Sequence, residues 1–62
     1  MNISLAIKQG TKILKDNSIP NPELDSEILM AKIIQKDREY ILLNSNKSLS
    51  INEFNNFNNL IK

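Results

Sequence analysis

The stretch Asn21–Asn44, NPELDSEILMAKIIQKDREYILLN, decides how this chain folds. Asn21-Pro22 is a helix start: Asn21 suits the N-cap, and Pro22 suits the first helical position, where no backbone N–H is needed. The spacing predicts a helix from Pro22 to about Gln35. Leu24, Ile28 and Ala31 fall on one face, Leu29 and Ile33 on a second, Met30 and Ile34 on a third. Only Asp25 and Lys32 define a narrow polar strip. A helix apolar on nearly every side wants neighbours on several sides. This second helix is therefore expected at the centre, with Ile28, Ala31 and Ile34 among the most buried residues.

The flanking sequence supplies the neighbours. Ile3, Ala6, Ile7, Gly10, Ile13 and Leu14 recur at spacings of three and four, which predicts a first helix over Ile3–Asp16. Gly10 lies within that stripe, where its use would be close approach of another helix backbone. Leu5 falls off the stripe, and a single exposed Leu is ordinary. After the central helix, Lys36-Asp37 turns the chain. Asp37 is an N-cap candidate for a short third helix, Arg38–Leu43, whose apolar surface comes from Tyr40, Ile41, Leu42 and Leu43. Asn44 can take the left-handed conformation that ends a helix. Ser50-Ile51-Asn52-Glu53 reads as a capping box, with Leu49 and Phe54 at the hydrophobic-staple positions. The fourth helix then presents Phe54, Phe57 and Ile61 on one face. Leu60-Ile61-Lys62 carries no stop signal, which is expected of a piece of a longer chain. The fold class that follows is all-α: a small bundle of four short helices, residues 1–62 forming one domain.

Composition narrows the function. The chain has 62 residues, eight basic and seven acidic, giving a net charge of +1. Nucleic-acid modules of this size are usually far more basic, because phosphate neutralisation supplies most of their affinity. A helix-turn-helix reading would make the third helix the reading element, yet it offers one Arg on an apolar body. No direct nucleic-acid contact is expected. There is no cysteine and no histidine, so thiolate metal sites, disulfides and the commonest general base are excluded. No run is long enough to span a membrane, and Lys8 and Gln9 interrupt the only early apolar stretch. A cytoplasmic location is the expectation. Glu23, Asp25 and Glu27 lie in the first two turns of the second helix, where the helix dipole favours negative charge; that reading serves better than an acid–base or metal site. Ten Asn residues, seven of them between Asn44 and Asn59, are most simply codon usage in an AT-rich genome.

In order and spacing the chain resembles the N-terminal domain of the release-factor glutamine methyltransferases, the HemK/PrmC family. The residues that carry the resemblance are Asn21-Pro22-Glu23-Leu24-Asp25-Ser26-Glu27-Ile28-Leu29, then Lys36-Asp37-Arg38-Glu39-Tyr40-Ile41-Leu42, then Leu49, Ser50 and Glu53. One departure is Gln35-Lys36, where the family pattern would place a glycine. The resemblance implies a small helical domain ahead of a C-terminal methyltransferase domain. That second domain would use S-adenosylmethionine to methylate the Gly-Gly-Gln glutamine of a class-one peptide chain release factor. The family's catalytic Asn-Pro-Pro-Tyr signature and a glycine-rich cofactor loop are both missing here, and Asn21-Pro22 is followed by Glu23. No catalytic, cofactor-binding or metal residue is carried over to this chain, and no cofactor is expected in it. The implied role is to bind or orient the release factor. Lys36, Arg38 and Tyr40, at the turn between the second and third helices, are the candidate partner-binding residues; a solvated turn is the plainer account of the two cations. A self-standing helical interaction module, without a methyltransferase partner domain, is the alternative.

Overall fold

The computed structural model describes residues 1–61. Four helices follow in order: α1 Ile3–Asp16, α2 Pro22–Ile34, α3 Arg38–Leu43 and α4 Ile51–Ile61. Among the described residues there is no strand beyond one isolated bridge, Asn2 with Ser48. α2 packs against each of the other three, so it is the central helix. The expectation that α4 lacks a stop signal extends to Lys62, which lies outside the described residues.

The first-turn N–H groups of a helix have no partner within it, and at α1, α3 and α4 other groups supply one. For α1 the account is complete. Ile3 N–H donates to Lys47 O at 3.0 Å and Ser4 N–H to Ser45 O at 2.9 Å. Leu5 N–H donates to Asn2 Oδ1 at 2.8 Å, and Ala6 N–H to Asn2 O at 3.1 Å. The polar loop between α3 and α4 thus caps α1, and Leu49 N–H returns to Met1 O at 2.9 Å. Asp37 caps α3 by accepting from Tyr40 N–H at 2.9 Å. The capping box of α4 is formed: Glu53 N–H donates to Ser50 Oγ at 3.1 Å and Ser50 N–H to Glu53 Oε1 at 3.0 Å. Leu49 and Phe54, on either side of it, both pack against the core. At α2 the outcome differs from the expectation. Pro22 holds the first helical position, but the Asn21 side chain makes no capping hydrogen bond.

Helix ends also differ. Asn44 is not left-handed; its φ is −121°. The left-handed residues are Ser18, at φ 62°, and Gln35, at φ 64°. Around Ser18 the end of α1 forms a Schellman motif: Ile19 N–H reaches Leu14 O at 3.0 Å and Ser18 N–H reaches Lys15 O at 3.0 Å. At Gln35 the Lys36 N–H reaches back to Ala31 O at 3.1 Å. A glycine is the residue that takes this conformation without strain. Gln35 takes it within Gln35-Lys36, the pair at which the sequence reading expects a glycine.

The core comprises Ile3, Ala6, Leu14, Met30, Ala31, Ile41, Phe57 and Ile61. Ala31 is buried as expected, but Ile34 is only half-buried and Ile28 is 46% exposed. The buried side of α2 is instead Ser26, Glu27, Met30 and Ala31. The reason is steric. Ser26 packs against Gly10 of α1, where two small residues let the helices approach closely. At ~100° per residue, Ile28 then lies about 200° round the helix from Ser26, on the outer side. The close approach at Gly10 is made by side chains, Ser26 and Phe57, rather than by another helix backbone. α3 buries only Ile41 fully; Leu42 and Leu43 face solvent.

Met30→Ala is expected to cost about 2–5 kcal/mol, enough to unfold much of a domain this small. Ile28→Ala should stay within about 1 kcal/mol, as an outward position does. Urea titrations of the two variants check the orientation of α2; a larger loss at Ile28 would contradict it. Gln35→Gly is expected to raise the thermal midpoint. It relieves about 1–2 kcal/mol of left-handed strain, and the extra unfolded-state entropy of glycine offsets only part of that.

Candidate functional site

The turn from α2 to α3 delivers the residues singled out from the sequence, and it separates them into two groups. Arg38, the first residue of α3, turns inward to α2. Its Nε and Nη2 donate to Glu27 Oε1 at 3.1 and 2.7 Å. The Arg38 side chain is half-exposed, but that of Glu27 is 11% exposed. Glu27 is therefore more than a partner of the helix dipole. It is a buried carboxylate whose charge is met by a guanidinium eleven residues along the chain, and the pair fastens α3 to α2. Charge-assisted hydrogen bonds of this kind are about twice as strong as neutral ones.

Lys36 and Tyr40 form the second group. They are four residues apart across the turn, and the Lys36 ammonium lies over the Tyr40 ring, 5.5 Å from its centroid. The site has a third member, from the connection between α3 and α4. Lys47, between α3 and α4, lies 5.6 Å from the same ring centroid. Its ammonium also donates to the Tyr40 hydroxyl at 2.9 Å. That hydrogen bond, and then the charge of the phenolic oxygen when it ionises, push the Lys47 pKa above its ordinary value; Glu53 adds a smaller push. Tyr40 itself is half-buried and packs against the core. Its backbone is held at both ends: its N–H by Asp37 Oδ1 and its carbonyl by Asn44, from both backbone and side-chain nitrogens at 2.9 Å. A ring fixed in this way positions two flexible lysines. Nothing short of the fold brings Lys47 to Tyr40, although the three-and-four spacing already pairs Lys36 with Tyr40.

Two of the acidic groups at this end have structural partners, and Glu39, beside Tyr40 on α3, is exposed and has none among the described residues. Asp37 caps α3 and Glu53 closes the box of α4. Among the described residues the one ion pair is Arg38 with Glu27, so neither Lys36 nor Lys47 has a carboxylate partner.

A wider concavity of about 710 Å³ lies along the start of α2, lined among others by Lys15, Ile19, Pro20, Leu24, Glu27 and Arg38. Its two central charges satisfy each other. Thr11 Oγ1, also at this groove, is buried without a hydrogen-bond partner among the described residues. Among the described residues no helix is long and apolar enough to cross a membrane, and no group of three His, Cys, Asp or Glu side chains is placed to hold a metal ion.

Arg38→Met should destabilise the fold by about 1–3 kcal/mol, because it leaves the Glu27 carboxylate buried without its counter-charge. Lys36→Met should move stability by no more than about 0.5 kcal/mol. Equal unfolding midpoints for the two variants would show that Arg38 is not structural.

The chain belongs to the PrmC N-terminal domain family, whose model matches residues 6–62. No curated relative and no solved structure matches it significantly.

Proposed function

We propose that this chain is a docking domain that binds and orients a class-one peptide chain release factor for a methyltransferase domain in the same protein. Family membership over residues 6–62 supports this reading. The observation that carries it is the Lys36–Tyr40–Lys47 cluster, a set of surface side chains in which neither lysine forms an ion pair among the described residues. A rigid helical body with such a cluster suits positioning rather than chemistry. Holding a substrate in register with a reacting group is worth several kcal/mol of barrier. In this reading S-adenosylmethionine belongs to the catalytic domain, which would transfer the methyl group to the Gly-Gly-Gln glutamine. The 62-residue chain would do neither step.

The test is a calorimetric titration of the chain with a class-one release factor, together with a deletion. Binding by the isolated chain is the expected result. In an enzyme that carries this domain, removing residues 1–62 should lower kcat/KM for the intact release factor by about tenfold or more, and barely change it for a short Gly-Gly-Gln peptide. Equal losses on both substrates would point to a merely structural role. Absence of binding would favour an interaction module with a different partner.

A further inference from the structure

Resting on that docking reading, we infer that the Lys36–Tyr40–Lys47 cluster is an anion-reading site for carboxylate side chains of an acidic protein segment. The first argument is the inventory of hydrogen-bonding groups. Each ammonium carries three donors and no acceptor. Lys47 spends one donor on the Tyr40 hydroxyl oxygen, and the Tyr40 O–H proton has no acceptor among the described residues. The cluster therefore offers donors to whatever binds, which selects acceptors and disfavours amides that need both.

The second argument is charge. Asp37, Glu53 and Glu27 are engaged with Tyr40 N–H, Ser50 N–H and Arg38 respectively, and the exposed Glu39 beside Tyr40 forms no ion pair with either lysine among the described residues. Lys36 and Lys47 converge on one ring from two different connections, with no carboxylate within ion-pair distance among the described residues. An arriving carboxylate meets one ammonium over the Tyr40 ring and a second one hydrogen-bonded to the hydroxyl of the same ring. The third argument is preorganisation. Tyr40 is half-buried and backbone-locked, so the ring restrains both lysines before binding and lowers the ordering cost of the complex.

A nucleic acid would also present anions. A protein segment is favoured because the chain's net charge is only +1, and two ammoniums neutralise too few phosphates to hold a nucleic-acid strand.

Chemical-shift titration of the chain, by NMR, tests this with three probes: a short poly-glutamate peptide, its poly-glutamine counterpart, and an oligothymidylate. The glutamate peptide should perturb Lys36, Tyr40 and Lys47 and weaken as salt rises, and the glutamine peptide should not bind. Lys36→Gln and Lys47→Gln should each weaken binding about three- to fivefold. Tyr40→Phe, which keeps the ring and removes the hydroxyl, should weaken it about twofold. Lys8→Gln, on α1 and outside the cluster, should leave binding unchanged. Circular dichroism confirms that each variant is folded. Equal losses at Lys8, Lys36 and Lys47 would overturn the inference, as would oligothymidylate binding at least as tightly through the same residues. A release factor that binds this chain at other residues overturns this inference and leaves the docking reading standing. A glutamate peptide that binds here, with no release-factor binding, overturns the docking reading alone.

Discussion

Everything in this bundle is arranged around a missing side chain. A Cβ built on Gly10 would lie 2.8 Å from Phe57 Cζ, 2.9 Å from Phe57 Cε2 and 2.9 Å from Ser26 Oγ. Three helices therefore meet where α1 has no side chain to offer. Glycine costs a helix about 1 kcal/mol relative to alanine, and here that cost is offset by the seating of Phe57, which is fully buried. An aromatic ring of this kind is among the largest apolar contributions a small core can hold. Ser26 is fully buried as well, and its hydroxyl donates to Ile7 O of α1 at 3.1 Å, so the polar group is satisfied. This single point fixes the spacing of α1, α2 and α4 and the rotation of α2 about its own axis.

That rotation decides the rest. With Ser26 against α1, Met30 falls one turn along the same side and is fully buried. Glu27 is carried to the boundary of α3, where Arg38 reaches it. Once Arg38 is held, α3 has a fixed direction, and Tyr40 is two residues further along it. The cluster of Lys36, Tyr40 and Lys47 is thus a late consequence of packing at Gly10. The outward side of α2 is left with Leu24 and Ile28 exposed, because three short helices cannot surround a fourth.

The starts of α3 and α4 were legible in the sequence because their signals are local, whereas the Asn21 cap expected for α2 is not formed and α1 is capped partly by Ser45 and Lys47. Asp37 and the Ser50–Glu53 box are hydrogen bonds over three residues, and side-chain chemistry alone proposes them. Two classes of feature were not legible. The rotation of α2 was hidden because a helix apolar all round has no preferred direction; Ser26 and Glu27, the least apolar candidates, turned inward on account of Gly10 and Arg38 in other helices. The left-handed ends were hidden because Ser18 and Gln35 occupy them. Asn44 had the better intrinsic tendency, but its carbonyl partner at Tyr40 is reached without a positive φ. In the candidate site, the pairing of Lys36 with Tyr40 was written in their spacing. Lys47 was not, since a loop has no period to read.

The seam between the first residues and the α3–α4 loop bears on when the domain can form as the chain is made. The earliest amide hydrogens of α1 find their acceptors on Ser45 and Lys47. Its interior glycine waits for Phe57. On the ribosome, α1 emerges before these partners and stays an open-ended helix until residues 45–57 have followed. A single short helix in water is marginal on its own. Synthesis in this order gives α1 no stable head start, because its capping acceptors and its Phe57 neighbour come later in the sequence.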